Sequence, residues 1–460
     1  MDCILSIQTT IMQNPLILIH GYSDVGQSFV TWKDKLIAKG IYTSKDIQIC
    51  SYKSLTNEVT IKDIAEGFDR ALRMNTNIDP DQPFDAIVHS TGMLVLRSWL
   101  TRFGRHERLK RLIGIAPASW GSPLAHKGRS WIGAIFKGNK ELGPDFLEAG
   151  DLVLDGLELG SAFTWDLAHK DLLGPEIFYG PTDKTPYLFT FIGDTPYTGL
   201  KGAVTASPGT DGTVRWSGCS LNSRKIFLDF NTPPKDPAGI KITNWLSDDR
   251  TNLSMPFLPM KGLNHGTILL NPSDDLVDMV ADALQVDTID SYEAWVKMAL
   301  SKTADTLSNM DKWQQFVIRA LDERGDSIDD FNLQLYKKDG PDNEFTPVPM
   351  DVHTYAADNS LRCFHLNLDN IGYAGTENLR MEFTASSGTK LFGFFDYLDP
   401  NSTVEPPDGL PTLTMDLTPL LGDEDIRFFY PFTTTLIEII LNREPMPVRS
   451  QNNLTQFLDL

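Results

Sequence analysis

FDAIVHSTGM, residues 84–93, is the stretch that decides the fold. Residues 84–88 read as a strand of the buried type. Leu96, Trp99, Leu100 and Phe103 then recur at helical spacing, so almost nothing is left over for a loop. A serine at so tight a strand-to-helix turn projects its hydroxyl above the sheet. The amide that follows it lies near the helix N-terminus, where negative charge is favoured. Gly92 supplies the small residue that lets strand and helix approach, while Val88 stands where Gly or Ala is expected on the other side. A serine can also begin a helix simply as its cap, so the segment gains its force from its surroundings.

Outward from this turn, strand and helix signals alternate. PLILI (15–19), DIQIC (46–50) and RLIGIA (111–116) are further strand candidates. Phe29, Trp32, Leu36 and Ile37 mark one helical face; Ile61, Ile64, Phe68 and Leu72 mark another, with Thr60 as its cap. The order β-α-β-α-β-α-β predicts an α/β fold, a mostly parallel sheet covered by helices on both faces. From 118 to 185 the alternation breaks into a helical insertion carrying Trp120, Trp131, Phe136, Phe146, Phe163, Trp165 and Phe178. These aromatics suit either a lid with an acyl-binding wall or the plain core of a helical cap. PYLFTFIGD (186–194), MPFLPMKG (255–262) and a helix bearing Leu276, Met279, Val280 and Leu284 then complete a domain expected to span 1–310. An amphipathic helix over about 290–308 closes it. Beyond it, WQQFVIRAL, FNLQLYKK, LRCFHLNL, LRMEFTA and LFGFFDYL alternate or are rich in aromatics, between Gly, Asp, Asn and Pro clusters. They predict a C-terminal all-β, sandwich-like module over 311–460.

A second chemical signal lies upstream in LILIHGYSD (16–24). A His-Gly pair directly after a strong strand suits one half of an oxyanion hole: Gly21 permits unusual backbone angles, and the Tyr22 amide can face a carbonyl oxygen. The Thr91 amide would be the other donor. In this architecture a base and its orienting acid follow the nucleophile in the order acid, histidine. Of eight histidines, His20, His89 and His106 come too early, His126 and His169 lie in the insertion, and His353 and His365 lie in the tail. His265, in the Gly-flanked loop KGLNHGTILL, is left. Two acids compete for the third role. Asp194 ends the strand in FTFIGD; Asp211 sits in the Gly-rich SPGTDGTVRWSG, which the DGTV sequence favours.

HGY at 20–22, VHSTG at 88–92, GSPLA at 121–125, TDGTV at 210–214 and NHG at 264–266 occur in the order seen in α/β-hydrolase lipases and esterases. The chain resembles that superfamily over about residues 12–290, and its GSPLA and DGTV stretches resemble bacterial lipases and the lecithin–cholesterol acyltransferase-like branch. The resemblance implies an α/β-hydrolase fold with Ser90, His265 and Asp211 as a catalytic triad. It implies hydrolysis of apolar acyl esters through an acyl-enzyme, without metal or organic cofactor. An acyltransferase or phospholipase using the same triad, and a non-catalytic binding protein on the same scaffold, are the competing readings.

Composition narrows the partners. Sixty-one acidic against 41 basic residues give a formal charge of −20, which disfavours nucleic acid. The basic run Arg102, Arg105, Arg108, Lys110 and Arg111 reads as a solvated helix end. Cys3, Cys50, Cys219 and Cys363 are too scattered for a zinc site or disulfide framework. Asp322, Glu323, Asp326, Asp329 and Asp330 lack EF-hand spacing and read as a hairpin loop rather than a calcium site. The start MDCILSIQTT has no signal-peptide pattern, and no apolar run is long enough to span a membrane. The expected address is cytoplasmic, the expected partner a small-molecule or lipid ester, with a further lipid or protein contact open to the C-terminal module.

Overall fold

The computed structural model describes residues 14–21, 26–52, 58–74, 81–125, 151–180, 184–199, 207–233, 240–244, 255–338, 344–355, 358–372, 378–398, 412–417 and 428–448, with a few single positions between them. It divides into two compact units. The first comprises 1–222 and 253–310, the second 223–252 and 311–460.

In the first unit six parallel strands form one sheet in the order β2-β1-β3-β4-β5-β8. They are β1 (Leu16–Ile19), β2 (Ile47–Cys50), β3 (Phe84–His89), β4 (Leu109–Ile115), β5 (Tyr187–Gly193) and β8 (Phe257–Met260). The six strands are the six that the sequence marks. Every residue of β3 is buried, which explains why it reads as a continuous run rather than an alternation. Helix α1 (Val30–Ala38) buries Trp32 and Leu36, α2 (Ile61–Met74) turns Ile61, Ile64, Phe68 and Leu72 inward, and α3 (Gly92–Phe103) buries Leu96, Trp99 and Leu100. Phe103, expected on that face, is only half-buried at the end of α3, where Gly104 takes a left-handed φ of 60° and stops the helix.

The described part of the insertion holds α4 (Asp151–Leu157) and α5 (Ala162–Asp171). Ser161 caps α5 through the Thr164 amide. Trp120, Trp165 and Phe178 are buried, so these aromatics are core of a helical cap. His126, Trp131, Phe136 and Phe146 lie outside the described residues. A fully buried ion pair fastens the cap to α3: Arg97 Nε and Nη2 donate to the two oxygens of Asp171 at 2.7 and 2.9 Å, and Tyr179 donates to the same carboxylate at 2.8 Å. Three helices follow β8: α6 (Thr267–Leu270), α7 (Asp274–Ala283) and the 20-residue α8 (Ile289–Ser308). Tyr292 and Trp295 of α8 pack on Phe189 of β5.

The second unit is a β-sandwich. One layer is antiparallel: β11 (Thr346–Pro347), β10 (Asp330–Lys338), β14 (Asn378–Ser386) and β16 (Thr412–Asp416). The other has β12 (Asp351–Thr354), β13 (Leu361–Asn367), β9 (Trp313–Asp322), β17 (Thr434–Pro445), β6 (Ser223–Asp229) and β7 (Ile240–Asn244), with β15 (Phe392–Phe395) also on β17. Phe316, Ile318 and Ile439 from this layer share one core with Leu333, Met381 and Phe383 from the other. Two features depart from the sequence reading. Residues 223–252, expected in the first domain, contribute β6 and β7 to the second unit, because Ile226 and Leu228 alternate inward while β6 runs parallel to β17. The 12-residue β17, the middle of that layer, was not anticipated at all.

The acid cluster was expected on a hairpin loop; instead Asp322, Glu323 and Asp326 lie in a tight turn closed by the bridge of Leu321 with Ser327, on the connection that passes from one layer to the other, and Asp330 begins β10. Asp322 accepts from the Arg324 and Asp326 amides at 3.0 and 2.9 Å between β9 and β10. No group of metal-ligating side chains is found among the described residues. No described helix is long and apolar enough to cross a membrane.

Candidate active site

Ser90 follows the last residue of β3 and precedes α3 with φ at +53°, a left-handed conformation unusual for any side chain except glycine. The turn is held from both sides. The Ser90 amide donates to Ile115 O at 3.4 Å, and the Ser90 carbonyl accepts from the Met93 and Ala118 amides at 3.2 and 3.0 Å. Strain of this sort persists only where the surroundings over-determine it, and it concentrates at functional sites.

Small residues make the close approach possible. A Cβ on Gly92 would lie 2.7 Å from the Ile19 carbonyl oxygen, and one on Gly21 would lie 2.8 Å from the Ser90 Cβ. Val88 pairs in register with Gly114 of β4, where an added Cβ would lie 2.9 Å from Met93 Cε and from Pro117 Cγ, so Gly114 lets the start of α3 and the turn after β4 close over the sheet.

Asp211 and His265 meet directly. His265 Nδ1 lies 2.9 Å from Asp211 Oδ2, and both side chains are wholly shut from solvent. Their backbones also join, with the His265 amide donating to Asp211 O at 3.0 Å. The second carboxylate oxygen, Oδ1, accepts the Thr213 and Val214 amides at 2.9 and 2.8 Å, so the DGTV turn folds around its own acid. Gly212, at φ +98°, passes so close to the Tyr197 ring that a Cβ would sit 2.6 Å from it. Burial raises the Tyr197 phenol well above its usual range, and its oxygen accepts from Thr213 Oγ1 at 3.4 Å.

The rival acid is employed otherwise. Asp194 Oδ1 accepts the Gly262 amide at 2.7 Å and the Thr195 hydroxyl at 2.7 Å, tying the end of β5 to the turn that carries the 260–266 loop.

Thr91 is buried at the start of α3, whose first-turn amides point out of the helix end. Tyr22 lies outside the described residues, but the Gly21 turn before it is fixed. His20 Nδ1 donates to the Gly21 carbonyl at 2.6 Å, its Nε2 accepts the Tyr52 amide at 3.1 Å, and its ring stacks on Tyr52 with centroids 4.4 Å apart. A carbonyl oxygen only accepts, so the proton of His20 sits on Nδ1.

Two contributors escaped the sequence reading. Ser122, within GSPLA, donates to the Thr213 carbonyl at 2.6 Å and so braces the Asp211 turn from the first turn of the insertion. His89 comes too early in the chain to serve as the base. It is nevertheless buried against His265, with ring centroids 4.7 Å apart. The signal for both was adjacency: each sits inside a motif already singled out for another residue.

The fold as a whole is similar to that of solved structures. The phospholipase PlaB from Legionella pneumophila superposes with a TM-score of 0.73 at 23% identity, covering 96% of this chain and 97% of that one. The same phospholipase in complex with thio-NAD gives 0.72 at 24% identity, with the same coverage. No protein-family model and no curated protein matches the sequence. The likeness establishes the α/β-hydrolase fold with an appended β domain along nearly the whole chain.

Proposed function

We propose that the protein is a serine hydrolase of lipid-type carboxylic esters, glycerophospholipids included, with Ser90 as nucleophile, His265 as base and Asp211 as the acid that orients it. The observation that carries this reading is the 2.9 Å contact between the buried imidazole and the buried carboxylate, on a loop packed against the residue next to a strained serine. That the similarly folded Legionella protein is a phospholipase supports the lipid part of the reading.

The chemistry follows from the donors and acceptors in place. With Asp211 Oδ2 accepting from His265 Nδ1, the imidazole proton is held on Nδ1 and the lone pair on Nε2. Nε2 removes the Ser90 proton as the oxygen attacks the ester carbonyl, and the carbonyl π electrons move to oxygen. The Thr91 and Tyr22 amides hold that oxyanion; each such donor contributes on the order of 10²–10³ in rate. Collapse of the tetrahedral adduct expels the alcohol, which takes the proton from Nε2. Water, deprotonated by the same nitrogen, then cleaves the acyl-serine and restores the enzyme. Asp211 stabilises the imidazolium each time it forms.

Transfer to an alcohol instead of water uses the same steps, so product analysis with an added acceptor separates a hydrolase from an acyltransferase. The test of the reading is an ester panel containing p-nitrophenyl butyrate, p-nitrophenyl palmitate and phosphatidylcholine. The wild type should hydrolyse long-chain substrates, and folded Ser90→Ala should hydrolyse none. Turnover surviving in that variant ends the proposal.

A further inference from the structure

His89 is the residue whose surroundings the triad does not explain. It ends β3, is 1% exposed, and its Nε2 lies 3.1 Å from the backbone carbonyl oxygen of His265. Its ring leans on the His265 ring at 4.7 Å and 48°. On the other side its Nδ1 faces Gly21, where a Cβ would come within 3.3 Å. One imidazole thus spans the oxyanion turn and the loop that carries the base, while its own backbone leads directly into Ser90.

Resting on the reading of Ser90 and His265 as nucleophile and base, we infer that His89 is a positioning residue. Its Nε2–H, donated to the His265 carbonyl, fixes the loop so that the base stays in register with the hydroxyl one residue along from His89 itself. Since the carbonyl accepts only, Nε2 must carry the proton, and the ring serves as a neutral donor. Burial, and then the charge of His265, push the His89 pKa well below the usual histidine range, so this neutral form holds across the working pH. Neutrality also matters for the reaction. A second imidazolium beside His265 would oppose the charge that His265 must acquire each time Ser90 is deprotonated. The link is short and rigid, and a misplacement of about 1 Å between reacting groups costs on the order of 10²-fold in rate.

The test compares two unbranched replacements of similar length. His89→Gln keeps an N–H donor near the Nε2 position; His89→Met fills the same space without one. On p-nitrophenyl esters His89→Met should lose kcat by about 10- to 100-fold with KM changed less than about twofold, whereas His89→Gln should recover most of that loss. In proton spectra the low-field resonance of the His265 Nδ1–H should persist in the glutamine variant and broaden in the methionine one. Should His89→Met not fold, His89→Asn decides, because its shorter amide does not reach the carbonyl and it should behave as a non-donor. Equal kcat for glutamine and methionine (or glutamine and asparagine) variants overturns the inference. Ser90→Ala in the same assay separates the two layers. Activity in that variant overturns the triad and this inference together; an inactive Ser90→Ala beside a fully active His89→Met overturns this inference alone.

Discussion

Replacing Asp211 by Asn isolates the proton bookkeeping of the site, and the structure dictates which way the new amide must turn. Oδ1 accepts two backbone amides, from Thr213 and Val214 at 2.9 and 2.8 Å. The asparagine oxygen has to take that place, since an NH2 group there would face two donors. The amide NH2 is then forced toward His265 Nδ1, where the carboxylate Oδ2 had been at 2.9 Å. A donor facing Nδ1 selects the tautomer protonated on Nε2, and the lone pair that should receive the serine proton is gone. The charge that stabilises the imidazolium is lost as well. Together these should lower kcat by about 10⁴-fold, or about 5.5 kcal/mol of transition-state stabilisation. Both amide bonds to the turn survive, so the melting temperature should move by less than about 4 °C. Steady-state hydrolysis of a p-nitrophenyl ester, with a melting curve on the same sample, measures both. Asp194→Asn is the contrast. Its carboxylate binds Gly262 and Thr195 rather than His265, so its kcat should stay within about tenfold of the wild type. A folded Asp211→Asn enzyme within tenfold of the wild type, or an Asp194→Asn enzyme as inactive as expected of Asp211→Asn, would refute the assignment of the acid.

The remaining predictions concern the scaffold and the pH dependence of stability. Asp171→Ala leaves the Arg97 guanidinium fully buried without its carboxylate, and should destabilise the first unit by about 3–5 kcal/mol in denaturant titrations. A change below about 1 kcal/mol would mean that the cap is not fastened there. Gly21→Ala drives a Cβ to 2.8 Å from the Ser90 Cβ, so kcat should fall at least tenfold while the melting temperature changes little; unaltered kinetics would show that the turn can yield. His89 bears on acid stability. Its folded-state pKa lies below the unfolded value of about 6.5, so below that pH the unfolded chain binds a proton that the folded one refuses. Its contribution is therefore fully present above about pH 6.5 and is lost as pH falls, at up to about 1.4 kcal/mol per pH unit. Between pH 6.5 and 5 the stability of His89→Gln should decline less steeply than that of the wild type; parallel curves would contradict the buried neutral ring.

The sheet of the first unit was legible because its inner strands are buried on both faces and read as uninterrupted apolar runs, PLILI and FDAIV among them, parted by clean helical periods. Strand β6 was not, since SRKIFLD places Arg, Lys and Asp between its apolar residues and its partner β17 lies about 200 residues further on, a pairing that no local pattern announces. The helical cap was legible as an insertion, but its aromatics carried no sign of whether they face substrate or core; Trp120, Trp165 and Phe178 are buried, while Phe163 is half-buried. Within the site, Ser90, Asp211 and His265 stood out because Gly-rich turns frame them. His89 and Ser122 act through a ring nitrogen and a hydroxyl aimed at backbone carbonyls, and such contacts leave no spacing to read.

Covalent capture is the most direct trial of the account. Wild-type protein treated with a fluorophosphonate, digested and sequenced by mass spectrometry should carry the adduct on the peptide containing Ser90, at one equivalent per chain, with esterase activity lost in step. Intact activity after treatment, or an adduct on any other residue, would contradict it.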